Sequence, residues 1–361
     1  MNHKFFNQLS VVKIEKKTKE CVAVTFEIPY DLKEKFLFKA GQYLTLQKEI
    51  NGEDIRRSYS ICSSPDESGI TIAIKKLDHG KFSTWANTKL KAGDKLDVMP
   101  PSGNFIIPEN PEPYEFVFFA AGSGITPVIS QIKYILKKYP KAGVTLFFGN
   151  KNFESIIFRE ELEGLKNKYI QQLAVHHIFT KEKTGVPLLY GRIDKEKCTL
   201  LSKHLFNAHP SDAFFICGPN DMIFDVKDAL VEIGVPTSKI HMELFNTEGL
   251  RSIKEKSVSE LTGTEKSQLS EIAIQLDGDV FEFELEYGGQ NLLDAALANG
   301  ADLPYACKGG VCSTCKAKIT NGEVVMDINY ALEPYEVDAG FVLLCQSHPR
   351  SPNIYIDFDQ K

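Results

Sequence analysis

The stretch Cys307-Lys-Gly-Gly-Val-Cys312-Ser-Thr-Cys315 reads C-x4-C-x2-C, and Cys345 adds a fourth thiol after 29 intervening residues. Four thiols at this spacing are the ligand set of a [2Fe-2S] cluster. The loop composition follows from that chemistry. Three thiolates must converge on one small group, and Gly309 and Gly310 let the backbone wrap tightly and turn N–H groups toward the sulfurs. A structural zinc held by Cys307, Cys312, Cys315 and Cys345 is the alternative, but zinc sites commonly pair their thiols as two C-x2-C knuckles, which this sequence lacks. The other cysteines, Cys21, Cys62, Cys198 and Cys217, are scattered, and eight in 361 residues are too few for a disulfide scaffold.

Around the cysteine loop the sequence describes a small α+β module. Two alternating segments, Glu271 to Leu276 and Val280 to Glu286, predict strands, and Leu292, Leu293, Ala296 and Leu297 predict a short helix before the loop. Residues 271–361 carry 15 Asp and Glu against 5 Lys and Arg, a net −10, whereas the rest of the chain carries 33 against 37, a net +4. The total of −6 argues against general nucleic-acid binding. Just upstream, 246–270 is rich in Ser, Thr, Lys and Glu without a sustained apolar period, and reads as a linker.

The remaining residues divide by pattern. Up to about residue 110, short alternating segments such as Val22-Ala-Val-Thr-Phe-Glu-Ile and Ile70-Thr-Ile-Ala-Ile, separated by Gly, Pro and Asp turns, predict an antiparallel barrel. From Tyr114 onward, buried strands (116–121, 144–148, 213–216) alternate with helical stretches (128–139, 221–233), the pattern of a parallel α/β sheet. With 43% hydrophobic residues the chain supports two or three cored domains, and disorder is excluded. No apolar run approaches the length of a membrane helix and the first residues lack the apolar core of a signal peptide, so a cytoplasmic location without membrane attachment is expected.

The stretch from Leu303 to Cys315 resembles the ferredoxin domain of ferredoxin-NADP-reductase-type electron-transfer flavoproteins, with a plant-type ferredoxin at the C-terminus. The resemblance implies flavin and nucleotide sites upstream, and the matching segments are present. Arg57-Ser58-Tyr59-Ser60 fits R-x-Y-S; at i and i+2 of a strand Arg57 and Tyr59 share one face. By resemblance, Arg57 pairs with the FAD pyrophosphate, Tyr59 stacks on the flavin and Ser60 hydrogen-bonds near its N5. Gly80-Lys81-Phe82-Ser83-Thr84-Trp85 opens a short helix, whose N–H groups favour a phosphate; the family has its second FAD phosphate loop here, which implicates Lys81, Phe82, Ser83 and Thr84.

Gly122-Ser-Gly124-Ile-Thr126-Pro127 follows a strand and begins a helix, with Pro127 suited to the first turn. It is neither a Walker A loop nor a full G-x-G-x-x-G. The family's G-x-G-x-T-P pattern assigns Gly122, Gly124 and Thr126 to the pyridine nucleotide. Cys217-Gly218-Pro219 ends another strand, and the family holds this cysteine against the nicotinamide; a small buried thiol is the plainer reading. His241-Met-Glu243-Leu-Phe245 resembles the H-x-E-x-F ending that brings an acid and an aromatic to the flavin edge, although edge-strand packing also accounts for Phe245. His176 and His177 have no partner spacing for a metal and read as structural. Where NADP-using relatives carry Ser-Arg, Thr180-Lys181 keeps a hydroxyl and a cation but loses the bidentate fork, which favours NADPH with NADH as the other possibility.

The expected architecture is therefore an FAD-binding β-barrel over 1–110, an NAD(P)-binding α/β domain over 111–245, a linker over 246–270 and a β-grasp [2Fe-2S] ferredoxin domain over 271–361. The implied activity passes electrons from NADPH through FAD and the cluster to an oxygenase or monooxygenase component. The tail, Val324-Val-Met-Asp-Ile-Asn-Tyr-Ala-Leu332 and Gly340-Phe-Val-Leu-Leu-Cys345-Gln-Ser-His-Pro349, narrows the likeness to reductases of the ring-oxygenating monooxygenase of phenylacetate breakdown. A ring-hydroxylating dioxygenase, a desaturase and a hybrid-cluster protein are the other acceptors, and a flavin reductase bearing a zinc-stabilised interaction domain is the reading from another class.

Overall fold

Short alternating segments between Asn7 and Val98 form six strands in a computed structural model that describes residues 5–108, 115–206, 208, 213–246 and 267–360. The expected boundary at 110/111 and residues 247–266 of the expected linker lie outside the described residues. The strands are β1 (Asn7–Thr18), β2 (Cys21–Glu27), β3 (Tyr43–Ile50), β4 (Glu53–Ser60), β5 (Ile70–Lys75) and β6 (Lys95–Val98). They pair antiparallel in the order β4-β3-β6-β1-β2-β5. The two edges meet where Ile61 bridges Ile72 and the Cys62 N–H donates to the Thr71 carbonyl at 2.8 Å. Closing a sheet on itself removes its edges. Leu9, Val24, Phe26, Leu44, Leu46, Ile72 and Ile74 fill the interior, and helix α1 (Lys81–Thr88) adds the buried Phe82 to it.

The second half of this unit is a parallel sheet of β7 (Glu115–Ala121), β8 (Gly143–Asn150), β9 (Leu173–Phe179), β10 (Ala213–Cys217) and β11 (Ile240–Glu243), ordered β11-β10-β7-β8-β9. Helices α2 (Ile125–Lys138), α3 (Arg159–Lys168), α4 (Lys195–His204) and α5 (Asn220–Glu232) connect the strands. Chain order reverses between β7 and β10, so their carboxyl ends flank the switch-point crevice where ligands enter open α/β sheets. Helix α2 starts at Ile125 rather than 128, because a 3-10 turn over Gly122–Gly124 runs directly into it. Pro127 then falls in the first turn, where its missing N–H costs nothing.

Helix α2 also ties the sheet to the barrel. Ser130 Oγ donates to the Ser63 carbonyl at 2.6 Å, Gln131 Nε2 to the Phe105 carbonyl at 2.6 Å and Lys133 Nζ to the Cys62 carbonyl at 3.1 Å. Residues Phe6–Leu244 form one compact unit accordingly.

The other unit contains Phe5 and the chain from Phe245 onward. Its main sheet combines β12 (Leu269–Leu276), β13 (Asp279–Glu286), β14 (Lys316–Asn321), β16 (Phe341–Leu343) and β18 (Asn353–Asp357), ordered β13-β12-β18-β14-β16. The pair β12 and β18 is parallel, the rest antiparallel, and β15 (Val324–Met326) pairs with β17 (Ser347–Pro349) in a separate ribbon. Helix α6 (Leu292–Ala298) buries Leu292, Leu293 and Ala296 against the sheet, and α7 (Pro334–Asp338) precedes β16. This is the β-grasp arrangement. Strand β12 begins at Leu269 and so takes in the last two residues of the expected linker, with Ser270 Oγ donating to the Ser351 carbonyl at 2.8 Å.

Candidate active site and cluster loop

Strand β4 divides the R-x-Y-S segment between two faces. Arg57 is exposed and Tyr59 half-buried on one, with the Tyr59 ring 5.6 Å from Phe82; Ser60 is buried on the other. Burial pushes the Tyr59 phenol up, and the neighbouring Arg57 opposes this. The exposed guanidinium keeps one nitrogen on the Arg56 carbonyl at 2.7 Å. Its neighbour Arg56 is the buried one, its guanidinium 5.1 Å from the Phe6 ring centroid and 3.4 Å from Asp54. In α1, Lys81 pairs with Glu53 at the surface and Thr84 is half-buried. Ser83 is buried and its hydroxyl is engaged by the turn itself: it accepts from the Leu77 N–H at 3.1 Å and donates to the Gly80 carbonyl at 3.4 Å.

On the buried face of β4, three sequence-distant segments meet. Ser60 Oγ donates to Glu243 Oε2 at 3.2 Å, and Cys217 is the register partner of Glu243 across β10 and β11. Part of the Glu243 residue remains accessible, but its carboxyl is enclosed. Burial pushes its pKa up to about 8, the Ser60 hydrogen bond opposing the rise. Cys217 is fully buried, and burial together with the Glu243 carboxylate lifts its thiol well above the ordinary range. Of the residues expected at the flavin and nicotinamide, Ser60, Cys217 and Glu243 thus come together, with Tyr59 on the opposite face of β4. Phe245 is 40% exposed and belongs to the other unit.

The glycines of the two nucleotide loops have different reasons to be glycine. Gly122 has φ +55°, a region that admits glycine most easily. At Gly124 a Cβ would lie 2.0 Å from the Cys217 carbonyl oxygen, so this glycine lets one loop pass against the backbone of the other. Gly218 is similarly closed in by Met222 and Ala121, and Pro219 caps α5. The Thr126 hydroxyl donates to the Ser123 carbonyl at 2.9 Å and fixes the turn. Thr180 and Lys181 follow β9, their N–H groups donating to the carbonyls of Asn150 at 3.0 Å and Lys151 at 2.8 Å; Lys181 is exposed. Lys197 was not singled out by the sequence: its ammonium donates to the carbonyls of Pro187, Leu188 and Tyr190 at 3.3, 3.1 and 2.9 Å and holds the turn after Lys181. No local signal distinguishes it from an ordinary helix lysine. His176 stacks on Phe147 and His177 on Phe179, where burial takes the latter down to about 4, as structural histidines require.

In the β-grasp unit the four cysteines converge. Cys307 and Cys312 sulfurs lie 3.1 Å apart, and Cys345 hydrogen-bonds with both Cys307 and Cys315. Hydrogen bonds from Cys312 and Cys345 hold the Cys307 thiol well below the ordinary thiol range, with burial opposing, and its two partners are pushed up in turn. The Gly309 N–H points at Cys307 Sγ at 3.3 Å. Gly310 has φ +74°, and a Cβ there would lie 2.9 Å from the Ile328 carbonyl oxygen. Among the described residues no three His, Cys, Asp or Glu side chains gather as a set for a single metal ion. Four thiols, an inward N–H and a loop closed by glycine match the donor chemistry of a [2Fe-2S] cluster.

Comparison with known proteins agrees with this geometry. Residues 8–107 match the family described as an oxidoreductase FAD-binding domain, 118–228 an oxidoreductase NAD-binding domain and 274–350 a 2Fe-2S iron-sulfur cluster binding domain. The chain is 42% identical over 357 residues to a subunit of 1,2-phenylacetyl-CoA epoxidase from Escherichia coli (strain K12), covering 99% of this chain and 98% of that one. The chain belongs to this family of oxygenase-linked reductases. A second member, the ferredoxin reductase component of 3-ketosteroid-9-alpha-monooxygenase from Rhodococcus rhodochrous, is 31% identical over 97% of this chain and 96% of its own. Among solved structures, phthalate dioxygenase reductase shares the fold, with a TM-score of 0.59 at 20% identity and 98% coverage of both chains. As a member of the reductase family the chain is an oxidoreductase using FAD, NAD(P)H and a [2Fe-2S] cluster, and the zinc alternative falls away. Among the described residues no helix is long and apolar enough to cross a membrane.

Proposed function

We propose that this chain is the cytoplasmic NADPH-dependent reductase of an oxygenase that acts on phenylacetyl-CoA. The observation that carries the acceptor is the 42% identity along essentially the whole chain to the epoxidase component, against 31% for the ketosteroid monooxygenase reductase. When bound, FAD takes a hydride as two electrons and the [2Fe-2S] cluster accepts them one at a time. The protein's part is placement and electrostatics.

Arg57 supplies an exposed cation for the FAD pyrophosphate, and the first turn of α1 supplies the N–H groups of Lys81, Phe82 and Ser83 for the same phosphates, Thr84 closing that turn by donating its N–H to the Gly80 carbonyl at 3.0 Å. Tyr59 offers its ring to one side of the flavin. Ser60 and Glu243 hold an exchangeable proton between them: the enclosed carboxyl keeps its proton to about pH 8, and the hydroxyl is its donor neighbour. Gly122, Gly124 and Thr126 shape the nucleotide loop, Cys217, Gly218 and Pro219 line the nicotinamide end, and Thr180 with Lys181 face the 2′-phosphate. Cys307, Cys312, Cys315 and Cys345 hold the cluster. The working units are the barrel over 1–110, the nucleotide domain over 111–245 and the ferredoxin domain over 271–361.

The test is reconstitution of the chain with the oxygenase components of phenylacetyl-CoA epoxidase. NADPH-dependent consumption of phenylacetyl-CoA and oxygen is expected. Cys312→Ser is expected to abolish it while flavin-dependent ferricyanide reduction survives. Turnover with a ketosteroid oxygenase and none with the epoxidase would replace the acceptor, and full coupled turnover by Cys312→Ser would refute the electron path.

A further inference from the structure

Directly after the fourth cysteine, Gln346 lies with 4% of its surface exposed. Its side-chain nitrogen reaches three acceptors: the Lys308 carbonyl at 3.1 Å, the Cys345 carbonyl at 2.8 Å and Cys345 Sγ at 3.6 Å. The main chain contributes as well, the Asp327 N–H donating to the Gln346 carbonyl at 2.8 Å. Lys308 adopts φ +51°, a left-handed conformation unusual for a residue with a side chain. The amide thus spans from the loop carrying Cys307, Cys312 and Cys315 to the segment carrying Cys345.

The orientation of this amide follows from its surroundings. Exchanging nitrogen and oxygen would set a lone-pair acceptor against two carbonyl oxygens and a sulfur. With the nitrogen facing them, Oε1 is buried and has no partner among the described residues. A buried acceptor left bare is costly and marks a site where the other end of the group matters. A side chain present only to fill the space would do so without that cost.

We propose that Gln346 is a positioning residue that holds Cys345 against the cluster loop and donates a hydrogen bond to its sulfur, raising the reduction potential of the cluster. This rests on the [2Fe-2S] reading. Reduction by one electron adds negative charge that spreads onto the ligand sulfurs, so an N–H donor at Cys345 favours the reduced form.

Gln346→Met keeps the length and removes both donors. Full-length wild type and variant are first assayed for FAD, iron and acid-labile sulfide, and their potentials are then measured by EPR-monitored titration. A hydrogen bond to a charged acceptor is worth about tenfold in an equilibrium, and tenfold corresponds to ~59 mV for one electron, so the variant is expected to be more negative by about that amount. A loaded variant with the wild-type potential overturns the proposal. Should the variant not retain its cluster, wild-type protein labelled with ¹⁵N in the glutamine side chain decides: pulsed EPR of the reduced protein is expected to show a ¹⁵N coupling, and its absence also overturns the proposal. Lack of iron and sulfide in the wild type would overturn the cluster reading itself, which is a separate outcome.

Discussion

Glu243 and Lys181 are the residues whose chemistry is most exposed to test. Burial holds the Glu243 pKa at about 8, above the ordinary carboxyl value of 4.5. A raised folded-state pKa means that the folded protein binds the proton more tightly than the unfolded chain. Its stabilising contribution is complete below about pH 4.5 and is lost as pH rises to about 8. Glu243→Gln removes this titration, so the wild type should lose stability relative to the variant from pH 5 to pH 8.5, by on the order of a few kcal/mol given the residual exposure. Parallel Tm curves over that range would show that the carboxyl is not enclosed. For Lys181, exposed after β9, a cation facing a phosphate acts mainly as a point charge. Lys181→Ala should raise KM for NADPH several-fold and leave KM for NADH nearly unchanged; equal effects on both would remove it from the 2′-phosphate site.

Between elements, the packing of the α2 loop against the end of β10 gives a contrast of two glycines. A Cβ at Gly124 would sit 2.0 Å from a backbone oxygen, whereas one at Gly164 in α3 meets nothing within 4 Å. Gly124→Ala should therefore cost about 1–3 kcal/mol through overpacking and weaken nucleotide binding. Gly164→Ala should gain a few tenths to 1 kcal/mol by restricting the unfolded chain. Thermal melts of the two variants check the pair, and equal behaviour would contradict the loop contact. This contrast also shows what a sequence can disclose. The cysteine spacing was legible because its ligands are mostly local and the chemistry fixes their number. The strands and helices were legible through their period, to within a few residues. The collision at Gly124, the engaged hydroxyl of Ser83, the lysine that binds three carbonyls and the amide of Gln346 were not. The contacts of Gly124 with Cys217 and of Gln346 with Lys308 join segments distant in sequence, and those of Ser83 and Lys197 depend on the exact path of a short turn; no residue pattern records either. The H-x-E-x-F likeness singled out Glu243, but its partnership with Ser60 spans 183 positions and appears only once β4 and β11 are folded.

At the scale of the whole chain, charge is partitioned more sharply than structure requires. The ferredoxin segment 271–361 holds 15 acidic against 5 basic residues, and the remainder of the chain is mildly basic. A field of one sign over a small domain steers association with a partner of the other sign and has little influence on folding. Electron delivery to a separate oxygenase is a bimolecular encounter through this domain, whereas reduction of ferricyanide by the flavin does not use it. Surface charges are screened over about 8 Å at physiological ionic strength. Coupled turnover at limiting oxygenase should therefore fall by roughly an order of magnitude between 50 and 500 mM salt, through the association rate, with dye reduction little changed. Replacing acidic residues of the domain by their amides should flatten that salt dependence in proportion to the charge removed. Coupled turnover that is indifferent to salt would mean that the partner is recognised by apolar contacts, and that the acidic surplus of residues 271–361 serves solubility instead.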